Sequence, residues 1–350
     1  MLVGNFVKPT RVTSQDVADT AGVSRTTVSL VLNDVKGIQI STDTRQRVIH
    51  AAKELGYVPD AAGRALASRR AQIIGLVLVR SAKHITSDAF LTQVLENLID
   101  VVHEHDLRLL IDIIEPQHQK EAYLQLARSK HIDGLILSGP RFDDEALSAL
   151  EDHDFPTVLM GQLPGTGLCS VDVDNRKAAC EAVEHLIQHG HQRIACITNA
   201  PPLYTAATDR LNGYKDALAS QGLPYKESII KYGEFSMQSG YQRMQELLAS
   251  QEKFSAAFIG SDQVAIGALA AIRENKLRVP EDIAVVGFDD LPGAFYNCPP
   301  LTTVHIPVPQ LARHASEYLI KMLSGNPITK EQIILDTHLV IRGSCGAHPD

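Results

Sequence analysis

The sequence predicts a small all-α helix-turn-helix headpiece joined to an α/β core of two doubly wound subdomains. Three observations predict this. Residues 12–58 repeat apolar side chains at helical spacing around short polar turns, whereas from Ile73 onward short apolar runs alternate with amphipathic helical stretches. The charge is also divided along the chain. Residues 1–70 hold ten basic and six acidic side chains, net +4, and the remainder holds 23 and 35, net −12. A basic head on an acidic body suits a nucleic-acid-binding module joined to something that does not touch nucleic acid.

Residues 12–33 read VTSQDVADTAGVSRTTVSLVLN. Thr13 is placed to cap a first helix, with Asp16 three positions on as its capping-box partner. Val17, Ala18 and Ala21 form one small apolar face, and Gly22 supplies the turn. Ser24 caps a second helix, in which Val28, Val31 and Leu32 recur at helical spacing. The polar first turn, Arg25, Thr26 and Thr27, is left facing outward, as in a helix that reads base edges in a DNA major groove. A third helix starts at Ser41 or Thr42 and runs through Val48, Ala51, Ala52 and Leu55. Gly56 stands where a helix C-terminal glycine belongs.

The apolar runs beyond the headpiece are IIGLVLV (73–79), LRLLIDII (107–114), GLILSG (134–139) and TVLMG (157–161), then RIACIT (193–198), IIKYG (229–233), AAFIG (256–260) and IAVVGF (283–288). Strands apolar throughout are buried on both faces, as in parallel sheets covered by helices. There are too many units for one compact sheet. Two similar subdomains, with a ligand at the carboxyl ends of their strands, are more economical. The break falls near 171–175, with returns near 301–306 and 333–336. The domains are therefore 11–58 (headpiece), 59–71 (hinge helix or linker) and 72–344 (core). The core's N-subdomain covers about 72–172 and 305–332, and its C-subdomain about 173–304 and 333–344.

The 350 residues, 44% hydrophobic and 21% charged, describe a globular protein of two or three domains. The five cysteines, Cys169, Cys180, Cys196, Cys298 and Cys345, form no C-x-x-C pair and are odd in number, which reads as reduced thiols in a cytoplasmic protein. No apolar signal-peptide core stands at the N-terminus, and no run is long enough to span a bilayer, so neither secretion nor a membrane partner is expected.

Helix-turn-helix, third helix, then Y-x-P-x-x-x-x-R-x-L at 57–66 resembles the headpiece and hinge of the LacI/GalR (lactose-repressor) family. The body carries VDVDN (171–175), HLIQHGHQRIA (185–195), RLNGY (210–214), SDQVAIGAL (261–269), VVGFDD (285–290) and PPLTTV (299–304). Their order resembles the family's effector core, which looks like a periplasmic sugar-binding protein. The resemblance spans nearly the whole chain. It implies a sequence-specific, DNA-binding transcription regulator, a repressor controlled allosterically by a small ligand such as a sugar or sugar derivative. It also implies a homodimer on a double-stranded, pseudo-palindromic operator.

On the same resemblance, Arg25, Thr26 and Leu30 match positions from which family recognition helices touch bases. Arg25 suits a bidentate contact to guanine, with a phosphate contact as its alternative. Leu30 departs from the polar residue often found there and meets a thymine methyl or adds nothing to readout. Thr13, Ser24, Thr27, Ser29, Asn33, Ser41 and Thr44 offer donors near phosphates, although most also satisfy local backbone. The loop 34–39 is longer than in the best-known relatives. In the hinge, Pro59 opens a short helix-competent stretch, 61–68, that the resemblance implies orders only on DNA. Leu66 matches the leucine that wedges into the minor groove, with helix packing as the alternative, and Gly63 replaces the usual alanine and loosens the hinge.

For the ligand, Arg210 opens R-x-x-G-Y at a helix start, and Asp289 follows the buried strand IAVVGF, at the end where α/β sites form. They face one ligand, or pair only to hold the halves together. Phe90, Leu91, Tyr204, Phe235 and Ser261 match pocket-lining positions of relatives. Other patterns are thin. His189 and His191 lack a completing ligand set for a metal, Gly165 and Gly167 lack a phosphate fingerprint, and Asp289 with Asp290 lacks the rest of a hydrolase site. No cofactor and no enzymatic activity are expected. The other reading is a solute-binding protein without DNA function, and the headpiece argues against it.

Overall fold

A left-handed residue, Gly22 at φ 65°, turns the first helix into the second. The computed structural model describes residues 12–33, 38–58, 70–80, 88–115, 118–325 and 331–346, and the chain divides after Gln72 into two units. The first holds α1 (Ser14–Ala21), α2 (Arg25–Leu32) and α3 (Thr42–Glu54). Thr13, Ser24 and Ser41 are their N-caps, each accepting from the backbone three residues on, and Thr13 with Asp16 completes a capping box. Val17, Ala18, Ala21, Val28, Val31, Val48, Ala51 and Ala52 pack as one core. Arg47 Nη1 donates to the Ala21 carbonyl at 2.8 Å, satisfying an end group of α1 that the helix itself leaves open. The hinge 59–69, with Pro59, Gly63 and Leu66, and loop residues 34–37 lie outside the described residues.

The second unit is built from two six-stranded sheets. The first contains β1 (Ile73–Val79), β2 (Arg108–Ile114), β3 (Gly134–Ser138), β4 (Thr157–Met160), β5 (Cys169–Val173) and β11 (Gln332–Leu335), in the order β11-β5-β4-β3-β1-β2. All its pairs are parallel. The second contains β6 (Ile194–Thr198), β7 (Ile230–Tyr232), β8 (Ala256–Ile259), β9 (Ala284–Asp289), β10 (Thr302–His305) and β12 (His338–Val340), in the order β12-β10-β9-β8-β6-β7. Only its edge strand β12 is antiparallel. Each of the eight apolar runs carries one strand. The sequence reading passed over β5, taking that stretch for the break between halves.

Both faces of each sheet are covered. Alternate residues of β1, such as Ile74, Leu76 and Leu78, join a core shared with α4 (Ala89–Glu104) and α11 (Val308–Leu323). Val77 and Val79 point to α5 (Gln119–Ser129) and α6 (Leu147–Asp152). In the second sheet, Cys196, Phe258 and Val286 face α7 (Asn175–Gln188) and α8 (Thr205–Ser220). Ile197, Ile259 and Val285 face α9 (Met237–Ala249) and α10 (Asp262–Glu274). This period of two with both sets apolar is the pattern of a doubly covered parallel sheet.

The chain passes between the sheets three times, after β5, after β10 and between β11 and β12. The last passage lies beyond Leu335, so 333–335 belong with the first sheet rather than with the C-subdomain. One strand departs from the expected burial. β2 exposes Leu110 (40%), Ile111 (46%) and Ile113 (38%) because it is the sheet's edge and, among the described residues, no strand continues beyond it.

The helices α7 and α8 approach closely at Gly213, where a β-carbon would stand 2.1 Å from the Arg176 carbonyl oxygen. Gly213→Ala must push the two helices apart. We expect it to destabilise the protein by about 1–3 kcal/mol, read as a lower midpoint in urea-induced unfolding at unchanged slope.

Candidate functional site

The headpiece presents one polar face. On α2, Arg25, Thr26 and Ser29 are exposed, whereas Val28 and Val31 are buried and Leu30 is half-buried. Arg25 is steered by a hydrogen bond from its Nε to Ser14 Oγ, 3.2 Å, across the helix pair. The hydroxyl candidates carry local duties. Thr13 and Ser24 cap their helices, Thr27 Oγ1 lies 2.9 Å from Ser24 Oγ, and Ser29 Oγ accepts from Asn33 Nδ2 at 3.1 Å. Arg25 and Thr26 cap no helix, Arg25 being held among the described residues only by its bond to Ser14, and Leu30 lies half-buried on the same helix. Leu66 lies outside the described residues.

In the second unit, the carboxyl ends of both sheets frame a cavity of about 110 Å³. Such ends, at the reversal of strand order beside β1 and β6, are where open α/β sheets bind ligands. Its centre is Arg210, buried on α8. The Nε donates to Asn175 Oδ1 at 2.9 Å, and Nη1 donates to the Gly260 carbonyl at 2.5 Å and to Asp289 Oδ1 at 3.3 Å. The guanidinium carbon lies 3.8 Å from the centroid of Phe288, whose face attracts the cation. Burial pushes the Arg210 pKa down, against the attraction of Asp289 and Asp172. Burial likewise lifts Asp289 to about 7, opposed by Arg210 and reinforced by Asp88. Asp289 holds φ 114°, a strained setting for a non-glycine residue at the end of β9.

Asp172, at the end of β5, accepts from both Val173 N (2.8 Å) and Gln162 N (3.1 Å), and Asn175 Nδ2 bridges its two oxygens. Burial still raises it to about 6. On the first sheet's side, Arg80 Nη1 donates to Asp88 Oδ2 at 2.5 Å. Asp88 Oδ1 caps α4 by accepting from Leu91 N at 3.1 Å. Across the cleft the Arg80 guanidinium sits 4.7 Å over Phe235. Tyr204 also links the two halves, its hydroxyl donating to the Val79 carbonyl at 2.7 Å. Its ring meets Phe235 edge-on at 5.0 Å and lies under the Arg141 guanidinium at 5.0 Å.

Of the side chains expected at a ligand site, Phe90, Arg210, Phe235, Ser261 and Asp289 line this cavity. Leu91 does not. One residue further along α4 its side chain turns into the core, 2% exposed. Tyr204 is not among the lining residues and instead ties the two halves together through the Val79 carbonyl. Sequence reasoning missed Arg80, Asp88, Asp172 and Asn199, all on the wall. Asp172 stood inside a quoted landmark. Arg80 and Asn199 had no signal, because only the three-dimensional switch point brings residues just past β1 and β6 together.

Among families, residues 13–60 match "Bacterial regulatory proteins, lacI family" and residues 183–345 match "Periplasmic binding protein-like domain". The chain is 34% identical to the HTH-type transcriptional regulator CelR of Thermobifida fusca over 95% of this chain and 98% of that protein. A solved CelR–cellobiose complex aligns at TM-score 0.73 with 33% identity, covering 95% of this chain and all of the other. A Lac repressor dimer bound to operator and the anti-inducer ONPF aligns at TM-score 0.83 with 28% identity, covering 96% and 100%.

Asp172 sits above its unfolded value, so its carboxyl favours folding most when protonated, below about pH 4. That contribution is lost as pH rises through about 6. Asp172→Asn removes the titration. The melting temperature of the variant relative to the parent should therefore rise between pH 4 and pH 7, by an amount equivalent to on the order of 2 kcal/mol. A difference that is flat with pH would show that Asp172 is ionised at little cost in the folded protein.

Proposed function

The chain belongs to the lacI family of bacterial regulatory proteins, and from that premise we propose a cytoplasmic repressor that binds a pseudo-palindromic operator as a homodimer and is switched by a sugar or sugar derivative in the cleft. It is a transcription regulator with a helix-turn-helix headpiece and a periplasmic-binding-protein-like core. Among the described residues no helix is long and apolar enough to cross a membrane. The observation that carries the DNA reading is the exposed polar turn of α2. Arg25, Thr26 and Ser29 project from a headpiece whose apolar faces are already buried on one another. A helix so presented fits a major groove, and Arg25 at its N-terminal end is placed for a base edge. Leu66, in the hinge between headpiece and core, is the proposed wedge at the operator centre.

The ligand reading rests on a cavity whose floor is a buried arginine and whose walls mix aromatic rings with polar groups, the usual makeup of a small-molecule site. A sugar fits that mixture, and the CelR relative was solved with cellobiose. The dimer reading rests on the apolar edge of β2 and on an exposed aromatic pair, Phe295 and Tyr296, in contact at 5.3 Å. Side chains of this kind favour a protein neighbour over water. Two headpieces on one two-fold axis then match two half-sites. No step of this reading calls for catalysis or a cofactor.

Arg25→Ala should relax preference at one base pair in each half-site, at a cost of about 1–3 kcal/mol there, and leave binding to random DNA nearly unchanged because that rests on phosphate charge. Anisotropy titrations on operators permuted one base at a time read both quantities. A uniform loss across all sequences would reassign Arg25 to a phosphate. Ile111→Lys places a charge on the proposed dimer edge. Sedimentation should show it shifted toward monomer, with operator affinity falling in step, and a variant that sediments as the parent does would remove β2 from the interface.

A further inference from the structure

Two residues that line the cavity each carry a buried polar atom with no hydrogen-bond partner among the described residues, and they come from opposite halves of the core. The atoms are Nε of Arg80, just past β1, and Oδ1 of Asn199, just past β6. Both side chains are more than nine-tenths buried, at 5% and 8% exposed. A buried donor or acceptor left unpaired is costly, so such a pair is an unfilled demand for a partner. Neither is loosely held. The Arg80 guanidinium is pinned between Asp88 and the ring of Phe235, and Asp88 is itself fixed at the cap of α4. The Asn199 carbonyl accepts from Phe235 N at 2.8 Å, tying that backbone to the same ring.

Both cations on the wall already have a carboxylate partner. The wall's ionisable side chains are Arg80 and Arg210 against Asp88, Asp172 and Asp289. Each guanidinium faces a carboxylate, at 2.5 Å for Arg80 and 3.3 Å for Arg210. Asp172 is the carboxylate in excess. A phosphate or carboxylate entering here would find each guanidinium already facing a carboxylate, in a poorly solvated cleft where Asp172 and Asp289 already hold negative charge at a cost.

We propose that Arg80 and Asn199 select the ligand, as donor and acceptor from opposite halves of the core, and that the ligand is a neutral, hydroxyl-rich molecule rather than a sugar phosphate or an acid sugar. A hydroxyl group can accept from Arg80 Nε, and another can donate to Asn199 Oδ1, so one such molecule satisfies both residues. This rests on the ligand-cleft reading above.

The test uses the full-length protein with matched pairs of probes in calorimetry and thermal shift: cellobiose against cellobionate, glucose against glucose 6-phosphate and glucuronate, uridine against uridine 5′-phosphate. Neutral members should bind and stabilise the parent, and their charged partners should bind at least tenfold more weakly. For the neutral probe that binds, Arg80→Lys, which retains a charge for Asp88 but lacks Nε, and Asn199→Leu, which removes the acceptor at similar volume, should each lose at least tenfold in affinity. Their melting temperatures without probe report folding separately. Arg210→Lys distinguishes the two readings. A probe that binds parent and Arg210→Lys alike is not in the cleft, and the cleft reading fails. A probe that needs Arg210 but ignores both Arg80→Lys and Asn199→Leu leaves the cleft reading intact and overturns this one. So does a panel in which charged members bind better, or in which no neutral member binds.

Discussion

The buried guanidinium of Arg210 is the interaction around which the core is arranged. It draws on α7 through Asn175, on the end of β8 through the Gly260 carbonyl, on the end of β9 through Asp289, and on the face of Phe288. Asn175 continues the chain of hydrogen bonds to Asp172, at the end of β5 in the other sheet. A single cation on α8 thus ties three other chain segments together beside the point where the backbone first passes between subdomains. The gain is positional more than energetic. Desolvating a charge offsets much of its attraction to a carboxylate, yet removing one member of such a set typically costs about 3–5 kcal/mol because the other is left uncompensated. The constraint also explains Gly213. Only a residue without a β-carbon lets α8 lie close enough to α7 for Arg210 and Asn175 to meet.

The other two passages are held by a second polar set. His305 Nδ1 and Asp290 Oδ2 are 2.9 Å apart, and Arg342 Nη2 donates to Asp290 Oδ1 at 2.6 Å. The His305 and His338 rings lie 4.8 Å apart, one on each strand that flanks a passage. Asp290 follows Asp289 directly, so adjacent carboxylates serve two networks that face different ways. The positive φ of both residues, 114° and 56°, is the local strain that turns the backbone between them.

The fold was legible because its signals are local. Caps at Thr13, Ser24 and Ser41 and the αL glycine Gly22 depend on neighbours within four residues, and runs apolar in both faces announce a covered parallel sheet without reference to its partners. The edge position of β2 was not legible, since Leu110, Ile111 and Ile113 look like any buried strand until the strand order is known. The site divided along the same line. Arg210 and Asp289 stood in motifs. Leu91 was misplaced by a single position on a helix, which is a rotation of about 100°. Arg80 and Asn199 lie 119 positions apart in unremarkable contexts, and only the common architecture of the two halves brings them to one cavity.

That shared cavity bears on how a ligand could act at a distance. A ligand shifts a conformational equilibrium only by the difference in its affinity for the two states. The cleft's strongest charges are already matched within each half, Arg80 with Asp88 and Arg210 with Asp289, so neither pair changes its partner when a neutral molecule enters. What does differ between a closed and an open cleft is any contact made to both halves at once. Tyr204, Phe235 and Arg80 make such contacts within the protein, and a molecule held by Arg80 Nε and Asn199 Oδ1 together would add another. Its binding energy would then fall on the relative position of the subdomains and not on the charges that hold each of them. Coupling of about 1–3 kcal/mol, the usual scale of allosteric linkage, is within reach of two such hydrogen bonds.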